Sequence, residues 1–163
     1  MSEHYHVRVA GDRLVFSAGH FITVDGNFCE RLHGHDYRVA AEVHGPLDAN
    51  GYVVDFVALR ERVAAILDEL DHRMLLPSGH PSIRVQQGHQ EVEVTFGQRR
   101  WVFPREDCAL LPVANTTTEL LCRHVATRLL QALEARTGNR PKVVRIEIAE
   151  HAGQTAACEL RDP

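Results

Sequence analysis

The residues best placed to do chemistry in this chain are histidines. His33 and His35 stand two apart in Cys29-Glu-Arg-Leu-His33-Gly-His35-Asp-Tyr, and His20 closes the run Phe16-Ser-Ala-Gly-His20. The stretch around His33 reads as extended chain, where side chains alternate faces with period two, so both imidazoles point the same way. A third imidazole from a neighbouring strand would complete a facial set of three nitrogens. Zinc held by three protein ligands keeps a fourth position open for water or substrate, the arrangement of catalytic rather than structural sites. Cys29 precedes His33 by four residues and could bring a proton-carrying thiolate to the same pocket. Its plain alternative is an unreactive, part-buried thiol.

Two further groups have both a plain and a chemical reading. Asp71-His72 closes a helical stretch, so the imidazole could simply complement a helix dipole. It could also be held by the carboxylate in one tautomer for acid–base work. Glu150 follows the strand Arg145–Ala149 and could be solvated, or could take two N–H donors from a planar heterocycle. His4 and His6 repeat the His-x-His spacing without a nearby cysteine, so no metal is expected there. His44, His80, His89 and His124 read as ordinary surface or core residues.

Elements must position these groups. Residues 4–24 suggest a strand and its return, and residues 36–45 another strand stopped by Gly45-Pro46. Asp55 reads as an N-cap for a helix whose Leu59, Val63, Ile66 and Leu70 form one apolar stripe, closed by Leu70-Asp71-His72. A hairpin is expected over residues 91–103 about Gly97-Gln98. A second helix is expected from Thr116, with Glu119 completing a capping box, Leu121, Val125, Leu129 and Leu133 as its stripe and Gly138 as its C-cap. Lys142–Ile148 and Thr155–Leu160 read as closing strands. The order predicts an α+β fold, an antiparallel sheet with two helices on one face.

Composition bounds the function. With 163 residues the chain is expected to form a single domain. A net charge of −4 and no basic stripe argue against nucleic acid. No run approaches transmembrane length and none reads as a leader, so a cytoplasmic protein without membrane association is expected. Cys29, Cys108, Cys122 and Cys158 form no Cys-x-x-Cys pair and read as free thiols.

Taken together, these segments resemble a known family. The His20 motif, Cys29-x-x-x-His33-Gly-His35, Val54-Asp55-Phe56, Leu70-Asp71-His72, Thr116-Thr117-Thr118-Glu119 and Glu150 stand in the order found in the pterin synthases of the tunnelling fold. That family includes 6-pyruvoyltetrahydropterin synthase and the 6-carboxytetrahydropterin synthase of 7-deazaguanine (queuosine) synthesis. The resemblance implies a zinc-dependent lyase acting on 7,8-dihydroneopterin triphosphate, with a ββααββ-like fold. It implies that His20, His33 and His35 hold Zn2+ and that Cys29, Asp71 and His72 are catalytic. Glu150 would anchor the pterin, and Thr117, Thr118 and Glu119 would line its pocket. It further implies a homohexamer of stacked trimers with sites shared between subunits.

The bacterial 6-carboxy enzyme is the form most like Cys29-Glu-Arg-Leu-His33-Gly-His35. The alternatives are the 6-pyruvoyl product, a member acting on another pterin, and a non-catalytic zinc-binding module. One departure stands out: residues 80–113 exceed what short members have, so they read as an insertion carrying the hairpin.

Overall fold

Alternating apolar residues build one broad sheet, and two helical stripes cover one of its faces. The computed structural model of the chain describes residues 2–137 and 140–162. It contains β1 (Tyr5–Val9), β2 (Val15–His20), β3 (Thr23–Val24), β4 (Phe28–Cys29), β5 (His33–Gly45), α1 (Phe56–Asp68), β6 (Arg73–Pro77), β7 (Arg84–Gln87), β8 (Glu91–Phe96), β9 (Arg99–Pro104), β10 (Cys108–Leu111), α2 (Thr118–Thr137), β11 (Val143–His151) and β12 (Gln154–Arg161). Gly138, the expected C-cap, lies outside the described residues.

The main sheet runs β10-β6-β2-β5-β11-β12. The long strand β5 is its hub. Its first half pairs antiparallel with β2, placing His20 opposite His33, its second half pairs with β1, and β11 runs along its other side. The antiparallel expectation holds for these strands. β6 departs from it, lying parallel to both β2 and β10. Parallel neighbours need a long crossover, and α1 and the 78–107 segment supply the two required.

Phe16, Ala18, Tyr37, Val39, Ala41, Val43, Val144, Ile146 and Ile148 form the sheet side of the main core. Against them pack Leu59, Val63, Ile66 and Leu70 from the α1 region and Leu121, Val125, Leu129 and Leu133 from α2. Burying each such side chain contributes about 1.5–3 kcal/mol. The Asp55 cap forms, its Oδ1 accepting from the Ala58 amide at 2.8 Å.

The second helix begins two residues later than its capping pattern suggests. The Thr116 hydroxyl donates to the Phe21 carbonyl instead of capping α2, because a tertiary acceptor outcompetes the local one. α1 likewise stops at Asp68, so Asp71 and His72 belong to the connection into β6.

β7, β8 and β9 form a separate three-stranded antiparallel sheet. β8 and β9 join through Gly97-Gln98, where Gly97 takes φ 56°. This small sheet rests on a second core of Phe21, Cys29, Leu76, Ile83, Val92, Val94 and Cys108.

Candidate metal and catalytic site

Three strands of the main sheet deliver side chains to one end of the main core. His20 ends β2, His33 and His35 open β5, and Glu150 lies near the end of β11. The register sets Ala18 opposite His35 and His20 opposite His33, so these side chains share a face. The ring centroids of His20 and His33 lie 4.7 Å apart, those of His33 and His35 4.9 Å, and those of His20 and His35 5.2 Å. One donor atom from each histidine and one from Glu150 all lie within 4.8 Å of one another. Among the described residues no second group of three or more metal-binding side chains occurs. His6 instead stacks on His44 at 5.0 Å, between paired strands β1 and β5.

The hydrogen bonds around the cluster decide which nitrogens face inward. His20 Nδ1 lies 3.0 Å from the Thr116 carbonyl oxygen, and His33 Nδ1 2.8 Å from that of Arg31. A carbonyl only accepts, so each Nδ1 carries the proton and each Nε2 is left as an acceptor, the orientation metal-ligating histidines use; the Tyr37 hydroxyl lies 3.4 Å from His20 Nε2. His35 is different: both of its ring nitrogens are buried without a hydrogen-bond partner. Glu150 Oε1 is 2.8 Å from His35 Nε2, a close ionic approach that lacks hydrogen-bond geometry. An unpaired buried imidazole costs about 1–3 kcal/mol, and a divalent cation would satisfy it. The donor set therefore fits zinc.

Glu150 Oε2 accepts from the Thr118 hydroxyl at 3.0 Å, in the first turn of α2. Thr117 and exposed Glu119 flank Thr118 there. The motif's glycine also has a structural reason: a Cβ at Gly34 would meet the Ala18 carbonyl oxygen at 3.1 Å, a tight approach that would push β2 and β5 a few tenths of an ångström apart beside the histidines.

Burial favours the neutral imidazole at His20 and His35, the form that binds metal. It pushes His20 down from 6.5 to about 4 and also lowers His35, His80 and His124. A histidine with a lowered folded-state pKa binds more protons when unfolded, so stability falls as pH drops below about 6.5. Metal-free protein should therefore lose stability between pH 7.5 and 5.5, with His20 alone giving a limiting slope of about 1.4 kcal/mol per pH unit. Urea midpoints across that range test this, and a flat profile would contradict buried neutral imidazoles.

Cys29, Asp71 and His72 make no hydrogen bond or ion pair with the cluster among the described residues, although His72 lines one groove with His33 and His35. Cys29 is buried at the end of β4, and its Sγ contacts the Glu30 carbonyl at 3.6 Å. Burial raises its pKa, Arg99 opposes that, and Glu30 adds to it. Asp71 accepts from the Ser17 amide through Oδ1 at 2.8 Å and from His72 Nδ1 through Oδ2 at 2.8 Å. The His72 ring is 82% exposed and its backbone takes φ 55°. It borders an open groove of about 690 Å³ with Ser17, Gly19 and Asp36. Ser17 and Asp36 belong to the face opposite Ala18 and His35. Among the described residues no hydrogen bond or ion pair joins Cys29 to Asp71 or His72. Asp71 and His72 are joined directly to one another.

Several supporting residues carried no motif signal. His80 accepts from the Ser82 and Ile83 amides through Nδ1, and its Nε2 lies 2.7 Å from the Thr23 hydroxyl. Asn115 bonds Thr23 and the Thr116 amide, and so steadies the residue whose carbonyl orients His20. The two carbonyls that set the tautomers belong to the backbone, which no side-chain pattern reveals.

Comparison with known proteins follows this geometry. Residues 12–161 match the family described as 6-pyruvoyl tetrahydropterin synthase. A Methanocaldococcus jannaschii protein provisionally named 6-carboxy-5,6,7,8-tetrahydropterin synthase is 29% identical over 144 residues, covering 88% of each chain. A structure of Plasmodium vivax 6-pyruvoyltetrahydropterin synthase, with a catalytic glutamate replaced by alanine, superposes with a TM-score of 0.88 at 25% identity. That alignment covers 99% of this chain and 100% of the other. A Pyrococcus furiosus dihydroneopterin monophosphate aldolase is 38% identical over 63 residues, 39% of this chain and 53% of that protein.

Proposed function

The chain belongs to the 6-pyruvoyl tetrahydropterin synthase family, whose members are lyases, and from that premise we propose that it acts on 7,8-dihydroneopterin triphosphate. The reaction would consume one water, expel the triphosphate and yield 6-carboxy-5,6,7,8-tetrahydropterin and acetaldehyde, a step of 7-deazaguanine synthesis. The observation that carries this reading is the histidine cluster, with two tautomers locked by carbonyls and a third imidazole left unpaired. Its placement four residues from Cys29 and the name of the M. jannaschii relative add support.

His20, His33 and His35 would hold Zn2+. Bound there, the ion supplies Lewis acidity that makes the substrate's side-chain hydroxyls easier to deprotonate. The remaining work falls to the protein's own groups. Cys29 removes a proton from the reacting side chain. His72, whose Nδ1 proton is held by Asp71, presents Nε2 to deliver or take up another. Such positioned groups each contribute about 10²–10⁴-fold.

The family resemblance gives Glu150 the pyrimidine edge of the pterin, with Thr117 and Thr118 beside it. Glu150 also serves the histidines in the substrate-free chain. Glu119, in the first turn of α2, is then the second carboxylate available to the ring. Because no hydrogen bond or ion pair joins Cys29 to His72 among the described residues of one chain, we propose that a neighbouring subunit completes the site in a homohexamer. Four free cysteines and the absence of any described helix able to cross a membrane agree with a cytoplasmic setting.

A second reading has its own support. Glu30 Oε2 lies 3.9 Å from His33 Nε2, so a carboxylate base stands beside the thiol, and one relative is named an aldolase of dihydroneopterin monophosphate. Cleavage of a pterin side chain by Glu30 would follow from it. Zinc-loaded protein incubated with 7,8-dihydroneopterin triphosphate, its pterins separated by mass, tests both readings. A 6-carboxy product with acetaldehyde is the expected outcome. A 6-pyruvoyl or 6-hydroxymethyl product would replace the first reading.

A further inference from the structure

The small sheet reaches the catalytic loop through one side chain. Arg99 opens β9 directly after the Gly97-Gln98 turn, and its Nη1 donates to the carbonyl oxygens of Cys29 at 2.6 Å and Glu30 at 3.1 Å. Its guanidinium carbon lies 4.6 Å from the centre of the Trp101 ring. Trp101 in turn stacks on Phe21, with centroids 4.5 Å apart and planes at 17°. Phe21 is fully buried and directly follows the cluster residue His20. An unbroken series of contacts thus links the hairpin to the Cys29 loop and to the strand carrying His20.

The ladder within that loop is short, although Asn115 and His80 also bond Thr23 and Cys29 is buried in the second core. β3 and β4 pair over two residues each, Thr23 with Cys29 and Val24 with Phe28, and one further bond joins the Glu30 amide to the Ile22 carbonyl at 2.9 Å. An isolated two-stranded ladder is marginal even when longer. Hydrogen bonds from a charged donor are roughly twice as strong as neutral ones, and a guanidinium spreads its donors in a rigid fork that spans adjacent acceptors. Among the described residues Arg99 forms no ion pair with a carboxylate, so the two carbonyls are its polar partners.

We propose that Arg99 is a positioning residue for Cys29: it fixes the Cys29–Glu30 backbone against the β8–β9 hairpin, which makes the small sheet part of the catalytic apparatus. The inference rests on the reading of Cys29 as a proton-transferring group. Arg99 also stands as the influence favouring the thiolate against burial, in agreement with the geometry.

The test uses zinc-loaded wild type, Arg99→Met and Arg99→Lys. Each is measured for kcat, KM and bound zinc, and for deuterium uptake by a peptide spanning residues 28–32. In Arg99→Met, exchange of the Glu30 amide should rise at least about tenfold. The kcat should fall about 10–100-fold, the order expected for a misplaced catalytic group, with KM and zinc content within about twofold. Arg99→Lys, which keeps the charge on a single donor nitrogen, should recover part of the kcat. A folded Arg99→Met with unchanged exchange, or with wild-type kcat, overturns the proposal, as does a kcat loss that tracks lost zinc. If wild type turns over no pterin while exchange still rises in Arg99→Met, the loop-fixing role stands and the functional reading fails.

Discussion

Cys29→Ala and His72→Ala, made in separate chains, should each abolish turnover, and mixed oligomers of the two should regain it. The expectation follows from the lack, among the described residues, of any hydrogen bond or ion pair between Cys29 and His72 in one chain, although both belong to one proposed reaction. If a site takes its thiol from one subunit and its imidazole from the next, an oligomer randomly assembled from the two variants has intact sites. Each such site needs the unaltered cysteine of one chain and the unaltered histidine of its neighbour, so about one quarter of sites are complete in a closed symmetric ring. Each parent should fall by at least about 10²-fold, the lower bound for a positioned acid–base group. Co-refolding, or co-expression with two affinity tags, followed by a turnover assay, checks it. Mixed oligomers as inactive as their parents would show that Cys29 and His72 do not serve one shared site.

Removing His35 should have the next largest effect, and its signature is thermodynamic as well as catalytic. His35 is the cluster member whose two ring nitrogens have no hydrogen-bond partner. In metal-free protein His35→Ala deletes an unsatisfied polar group along with some packing, and these effects oppose one another. Its melting temperature should stay within about 4 °C of metal-free wild type, a shift of about 1 kcal/mol in a chain this size. The stabilisation by added zinc, about 2.7 kcal/mol at a hundredfold excess over Kd in wild type, should disappear with bound-metal stoichiometry. Turnover should drop at least about a thousandfold, because the Lewis-acid contribution goes with the ion. Calorimetry with and without zinc, beside metal analysis, reads all three. A variant still stabilised by zinc would remove His35 from the ligand set.

The sequence was most legible where one local period determines the answer. The helical stripes at Leu59, Val63, Ile66 and Leu70, and at Leu121, Val125, Leu129 and Leu133, are all buried. His33 and His35 share a face because a strand alternates with period two. Position across the sheet was harder to read: nothing local says that β6 lies parallel between β2 and β10, or that Thr116 bonds Phe21 instead of capping α2. β7, a polar stretch of Arg84–Gln87, lacks the apolar alternation that marks a strand. Glu150 was recognised as a candidate from its strand-end position and the family resemblance, yet its place among the histidines depends on β11 pairing beside β5. Arg99 had no signal at all, since its partners are carbonyls some seventy residues earlier in the chain.

The backbone at His72 carries one more consequence. A non-glycine residue at φ 55° is disfavoured by about 1–2 kcal/mol, and its ring, 82% exposed, recovers little of that through packing. Thermal endurance and chemistry therefore pull this position in opposite directions. A laboratory selection that rewards only heat resistance will favour glycine or asparagine at residue 72 and return sturdier proteins without the imidazole that the proposed reaction uses. A programme to harden this scaffold would have to hold residue 72 fixed and seek its gains elsewhere.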